Sequence, residues 1–243
     1  MAETGAAFPD AETVGAVVDM AARAPSVHTW HPWRWQVSPR SLDLYADLPG
    51  TDPHRRDVVL SCGSALHHCT VALAAMGWRA KIRRLPDPAD RDHLAAIEVS
   101  MQAPSELDAM LAAAITDRQP DHRTDGSGPV SWGDIAVMGA RAARAGVMLR
   151  QIVAETETEP HRDGNVVVAL GTESDDELAQ LRAGEAASLV LLSATAMGLA
   201  GHPVTEPFEI PGGREAVRAD VFGSDGHPQM LLRLGRESVG EVQ

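Results

Sequence analysis

The chain has 243 residues, 44% hydrophobic but only 4% aromatic, so a sizeable core must be built mainly from Ala, Val, Leu and Met. Its formal net charge of −13 argues against a nucleic-acid groove, because a phosphate backbone would be repelled over most of the surface. No apolar run reaches the roughly 20 residues of a bilayer span, and the first residues lack the basic and apolar regions of a secretory signal, so the expected location is the cytoplasm.

In chain order, Asp10 can cap a helix whose Val14, Val17, Val18 and Ala21 share one face and which Pro25 stops. Short strands follow at 33–37 and 42–46. Residues 63–78 are apolar nearly all round, the mark of a buried helix. Strands at 79–84 and 94–100 flank a turn-rich segment. Ser105, with Asp108 three residues on, can cap a helix carrying Leu107, Met110, Leu111, Ala114 and Ile115. After a polar loop, Ser131 can cap a further helix over 132–145, with Gly146 as its stop. Strands are expected at 147–153 and 166–170, then a second nearly all-apolar helix at 184–199 and a last strand at 229–234; the acidic Asp175, Asp176 and Glu177 suit the start of a helix.

An internal repeat organises these elements. GSALHHCTVALAAMGW (63–78) aligns without gaps on GEAASLVLLSATAMGL (184–199), a shift of 121 residues, with identities at Gly63/Gly184, Ala65/Ala186, Ala75/Ala196, Met76/Met197 and Gly77/Gly198. The same shift places Ala22, Arg23 and Ala24 on Ala143, Arg144 and Ala145. A helix apolar on all sides must be covered on every face. Two of them, one per half, can cover each other, so that one chain forms within itself the contact a homodimer forms between subunits. The predicted division is 1–103 and 104–243, intertwined in one compact unit, and any site at the contact would draw on both halves. A monomeric pseudo-dimer or a further homodimer both fit this scheme.

The densest segment chemically is APSVHTWHPWRW (24–35), with three of the five tryptophans. Pro25 and Pro32 stiffen it, and Ser26, His28, Thr29 and His31 offer polar groups suited to the edge of a flat heterocycle. The same residues could instead form a Trp- and Pro-rich cap on the core. No metal site is expected: of His28, His31, His54, His67 and His68, the last two are adjacent and point about 100° apart on a helix, and His28 and His31 have no thiolate or carboxylate in their motif. No G-x-S-x-G elbow surrounds Ser26, and the glycine pairs form no dinucleotide fingerprint. Cys62 and Cys69 would lie roughly 10 Å apart on a helix, too far for a disulfide, and read as buried thiols. His54, Arg55, Arg56 and Asp57 read as the solvated start of a helix, although they could instead pair internally or bind a phosphate.

APSVHTWHPWRW resembles the A-P-S-x-x-N-x-Q-P-W loop of the nitroreductase superfamily. RRDVVLSCGSALHHCTVALAAMGWRAKIRRLPDP, with ALGTESDDELAQLRAGEAASLVLLSATAMGLAGHPVTEP and PQMLLRLG, resembles the actinobacterial Acg-like NAD(P)H nitroreductases, a tandem-repeat subgroup. The resemblance spans most of 11–235. It implies an α/β (α+β) nitroreductase-like fold, with mixed, mostly antiparallel sheets flanked by helices in two tandem halves. It also implies FMN at the contact between halves and NAD(P)H as the reductant of a small electron-poor substrate. Carried over by position, the flavin loop is Pro25, Ser26, Val27, His28, Thr29 and His31. The phosphate-binding R-x-[ST]-x-R motif falls on Arg118 to His122, with Arg123 next, and an arginine fork suits a phosphate. The segment facing the flavin's reactive side is 203–206, with Thr205 and Glu206.

There are departures from this pattern. Thr29 and His31 replace the family's Asn and Gln, Pro120 replaces the hydroxyl residue, and His122 stands for the second arginine. The segment after the last strand is not basic, and 154–165 is short and acidic. These departures leave room for two alternatives: a non-catalytic relative that sequesters flavin or holds none, or a specialised biosynthetic redox enzyme. No catalytic side chain is implied, because the cofactor carries the chemistry.

Overall fold

The structure is a computed structural model and describes residues 8–27, 30–48, 54–118, 129–152 and 164–236. The first half runs α1 (Ala11–Ala21), β1 (Trp33–Val37), β2 (Ser41–Ala46), α2 (Arg55–Ala75), β3 (Trp78–Arg84) and β4 (His93–Met101). After α3 (Glu106–Asp117), the pattern recurs as α4 (Trp132–Arg144), β5 (Met148–Ile152), β6 (Val166–Thr172), α5 (Glu177–Ala196), β7 (Leu199–Val204) and β8 (His227–Arg236). Between β7 and β8 lie two short helices, α6 (Glu206–Glu209) and α7 (Gly213–Val217), and one π-helical turn at Arg218–Phe222.

The strand orders are β1-β2-β4-β3 and β5-β6-β8-β7. Every pairing among the described residues is antiparallel. The sheets are thus antiparallel, as the fold class implied: in each half the long helix returns the chain so that its second strand pair runs against its first.

The offset of 121 residues reappears in three dimensions. Asp10 caps α1 by accepting from the Thr13 N–H, and Ser131, 121 residues on, caps α4 by accepting from the Asp134 N–H. The buried residues of α1 are Val14, Val17 and Ala21, and those of α4 are Ile135, Met138 and Ala142, each pair at the same offset. Helices α2 and α5 bury Leu60 and Leu181 in the core of the opposite half. They cross at Gly63 and Gly184. A Cβ on Gly63 would lie 2.2 Å from the Leu181 carbonyl oxygen, and one on Gly184 would lie 2.0 Å from that of Leu60. Only glycine permits that approach. Helix α3 then lies over the pair, packing Leu111, Ala114 and Ile115 against Val71 of α2 and Leu192 of α5.

Helices α2 and α5 begin at Arg55 and Glu177, at the charged helix starts read from the sequence and well before the glycines of the apolar runs. Two features differ from the sequence reading. By length and composition α2 could cross a membrane, but its residues are mostly buried here against α5 and the first sheet. Strand β7 was not expected, because Gly201 and Pro203 dilute its signal. It is an edge strand, where Pro is tolerated.

Candidate functional site

The loop after α1 is fastened to α2. The Val27 N–H donates to Ser61 Oγ (3.0 Å), and Ser61 donates in turn to the Asp57 carbonyl (2.8 Å). Ser26 Oγ donates to the Trp30 carbonyl (2.9 Å), and Cys62 Sγ donates to the Pro32 carbonyl (3.3 Å). One hydroxyl on the buried helix thus sets where Val27 sits. Val27 faces a pocket of about 490 Å³, a volume typical of small-molecule sites. The first half contributes Arg56, Asp57 and Leu60 of α2, and the second half contributes Thr205, Phe208 and Arg214 from the β7–β8 connection. That connection folds closely on itself: a Cβ on Gly213 would lie 1.9 Å from the Pro207 carbonyl oxygen.

The floor of the pocket is a polar network. Gln229, 1% exposed, donates to Thr172 Oγ1 (2.8 Å) and Asp175 Oδ1 (3.0 Å). Arg214 grips both oxygens of Asp175 and donates to the Pro228 carbonyl (2.8 Å). Burial alone would raise the Asp175 pKa, but the bonds from Arg214 and Gln229 outweigh it and hold the group below its ordinary value. Arg56 donates to the Gln229 backbone carbonyl (2.6 Å) and side-chain oxygen (2.9 Å), while the Asp57 carboxylate is 3.4 Å away. Burial lowers the Arg56 pKa, and nearby Arg214 adds to the effect. The sequence reading of Arg56 as part of a solvated helix start is therefore overturned. Helix α2 runs into the interior from its first turn, and the β7–β8 connection covers that turn.

A second polar group lies where α2 meets α5. His67 Nδ1 (2.7 Å) and His68 Nδ1 (2.8 Å) both contact Ser188 Oγ. Adjacent helical residues share one partner because Ser188, at the offset of 121 from His67, reaches across the helix crossing. Burial pushes the His67 pKa down to about 4 and lowers that of His68 as well. Among the described residues no cluster of His, Cys, Asp and Glu could hold a metal ion. Cys62 and Cys69 are buried and unbridged, and burial raises both thiol pKa values, which makes them unreactive.

Arg118 ends α3 and sends Nη2 toward the Gly201 carbonyl (3.5 Å) on β7. Its Nε is buried without a hydrogen-bond partner among the described residues, and burial lowers its pKa. Gly201 lies two residues before Pro203, which lines the pocket.

No family model matches the chain. A Mycobacterium tuberculosis H37Rv protein provisionally named NAD(P)H nitroreductase is 46% identical to it, over 94% of this chain and 86% of the relative. The chain belongs to the Acg-like nitroreductase family. Acg itself, from the same strain and also provisionally named an NAD(P)H nitroreductase, is 28% identical over 92% of this chain and 89% of its own. The crystal structure of a protein from Anabaena variabilis, provisionally named a nitroreductase, shares the fold at a TM-score of 0.57, covering 81% of this chain and 69% of that one at 9% identity. The alignment with the first relative spans 296 positions, more than the 243 residues here, so that relative carries internal segments this nitroreductase-family chain lacks.

Of the residues singled out by sequence, Val27 and Thr205 line the pocket from opposite halves. Pro25 and Ser26 belong to the same fastened turn as Val27. Glu206 is exposed on α6 beside Thr205. His31 is exposed and stacks on Trp33, ring centroids 4.8 Å apart, outside the pocket lining. His28, Thr29, His122 and Arg123 lie outside the described residues. Sequence reasoning missed Phe208 and Arg214, which stand in no quoted motif, and Gln229, which stands in the PQMLLRLG segment but was given no site role. Arg56 carried one signal: a guanidinium two positions before a long apolar run.

Proposed function

We propose that this chain is a flavin-dependent oxidoreductase that uses FMN in the pocket between its halves and works as a soluble, cytoplasmic, self-contained pseudo-dimer. The supporting observation is the meeting of Val27 and Thr205 across one pocket, each on the segment its family resemblance assigns to flavin. The residues present fit the group. Arg118 is outside the pocket lining but bonds to Gly201 on the strand that leads to it, and with an Nε unpartnered among the described residues it would hold the phosphate end. The Pro25–Ser26–Val27 turn and the 203–205 segment would flank the ring. When bound, the flavin would take a hydride from NAD(P)H and deliver two electrons to an electron-poor acceptor such as a nitroaromatic or a quinone. The protein's own part is to orient and to exclude water: Ser61 fixes the loop, and Leu60, Phe208 and Met230 supply apolar wall. The division at 103/104 and an origin by duplication belong to the same reading, supported by the recurring caps, buried positions and strand orders.

The test is the absorbance spectrum of the protein after incubation with FMN and removal of free flavin, followed by NADH and NADPH oxidation with a generic quinone. Retained flavin bands with quinone-dependent turnover are expected. A colourless protein that FMN does not stabilise against heat would refute the reading. A second reading, a relative that holds flavin without turnover, is favoured by the internal segments present in the 46%-identical relative and absent here. Flavin retention with no oxidation of either nucleotide would select it.

A further inference from the structure

Arg56 carries a charge that the protein leaves poorly matched. Its close hydrogen bonds go to neutral oxygens of Gln229, at 2.6 and 2.9 Å. The nearest carboxylate among the described residues, Asp57, sits at the 3.4 Å margin, and Asp175 is already chelated by Arg214. Its Nε is buried with no partner among the described residues. The side chain is 23% exposed and pairs with Asp57 only at 3.4 Å, so a guanidinium held at closer range by neutral acceptors gains from a second anion. The surroundings are of one kind. The Arg56 guanidinium lies 5.9 Å from the centre of the Phe208 ring, and Val27, Leu60 and Met230 make the nearby wall apolar. Helix α2, 21 residues long, directs its N-terminal end at the same place without a side-chain cap, and its partial positive charge adds to that of Arg56. The other acidic group of the lining, Glu209, is exposed at the rim, where water screens it.

We propose that the pocket takes a flat aromatic ligand bearing a carboxylate, with the ring against Phe208 and the apolar wall and the anion set against Arg56. This deepens the proposed function by naming a substrate class, acidic aromatic acceptors, and rests on that reading only for the claim that the ligand is reduced. Binding itself needs no flavin.

The experiment is calorimetric titration of the purified protein with 4-nitrobenzoate and with 4-nitrobenzamide, which has the same shape and ring but no charge. A charge-assisted contact predicts that the acid binds at least about tenfold tighter. In Arg56→Gln the preference should fall to within about twofold, while Arg56→Lys should retain part of it. The comparison within the unaltered protein needs no variant, so misfolding of a variant cannot shield the idea. Equal affinities for acid and amide, no binding of either at millimolar concentration, or a preference that survives Arg56→Gln would each overturn it. FMN affinity is measured in parallel by quenching of flavin fluorescence. If Arg56→Gln loses FMN but keeps the acid preference, Arg56 serves the cofactor and the proposal fails. A protein that never binds FMN yet prefers the acid leaves this inference standing and sinks the flavin reading alone.

Discussion

Replacing Gly63 by Ala sets two effects against each other, and the structure decides between them. In an isolated helix the change is favourable by about 1 kcal/mol, because Ala restricts the unfolded chain and suits helical geometry. Here the new methyl would lie 2.2 Å from the Leu181 carbonyl oxygen, 2.9 Å from Gly184 Cα and 3.0 Å from the Glu185 nitrogen. Ordinary contact begins near 3.4 Å, so α2 and α5 must part by roughly 1 Å. All three obstacles are backbone atoms, which cannot rotate away. Parting the helices loosens apolar contacts along both of them, and overpacking of this kind costs about 1–3 kcal/mol or more. We expect Gly63→Ala to destabilise by about 2 kcal/mol after the propensity gain, a drop of about 5 °C in Tm for a chain of this size. Gly184→Ala, with its methyl 2.0 Å from the Leu60 oxygen, should do the same. The double variant should cost clearly less than the sum, because one separation relieves both clashes. Urea unfolding followed by far-ultraviolet circular dichroism measures all three. A single variant as stable as the parent, or strict additivity, would refute a crossing at these two glycines.

Three further outcomes follow from named contacts. The His67 pKa is about 4 when folded, below its ordinary 6.5, so stability is full above pH 6.5 and falls as pH drops toward 4, by up to about 1.4 kcal/mol per pH unit, with His68 shifted the same way. Urea midpoints from pH 7 to pH 4.5 should show that loss, and His67→Gln should reduce it, leaving the share of His68; an unchanged slope would count against a neutral His67 in the folded protein. Glu185→Gln breaks a pair in which Arg84 donates to both carboxylate oxygens at 2.7 Å, and should lower stability by about 2 kcal/mol in chemical unfolding, an estimate reduced for the partial exposure of Arg84. Ser61→Ala should cost only about 1 kcal/mol of stability but release the turn holding Val27, so that nitrobenzoate or FMN affinity falls several-fold; unchanged affinity would mean the turn holds without its anchor.

Much of the fold was legible because its signals are local. The capping boxes at Ser105 and Ser131 and the cap at Asp10 occur where side-chain chemistry places them. The all-apolar helices had to find a partner, and the glycines that align in the repeat are those that touch. The candidate site was half legible, through Val27 and Thr205. The rest depends on contacts between residues distant in the chain. Arg56 and Gln229 are 173 positions apart, and nothing in either neighbourhood announces that they will meet. Strand β7 was hidden for a different reason. An edge strand needs hydrogen bonds on one side only and so tolerates the Gly and Pro that erase its pattern.

The two halves are related by one offset, but among the described residues the counterparts of two pocket-lining positions are differently engaged. At 121 residues before Thr205 stands Arg84, and at 121 after Arg56 stands Glu177. Both are engaged in ion pairs: Arg84 is clamped on Glu185, and Glu177 binds Arg55 at 2.6 Å, which also reaches Asp92 at 2.7 Å. The position that opens onto the pocket on one side is thus filled on the other by the protein's own opposite charges. The connections differ to match. Only eight residues, 85–92, join β3 to β4, whereas 22 residues, 205–226, join β7 to β8 and carry Thr205, Phe208 and Arg214 into the pocket. Symmetry in the helix crossing therefore supplies rigidity, and the asymmetry of one connection supplies the site. Shortening 205–226 to the length of its counterpart should abolish ligand binding while leaving the α2–α5 crossing folded, a separation that circular dichroism and the nitrobenzoate titration would read independently.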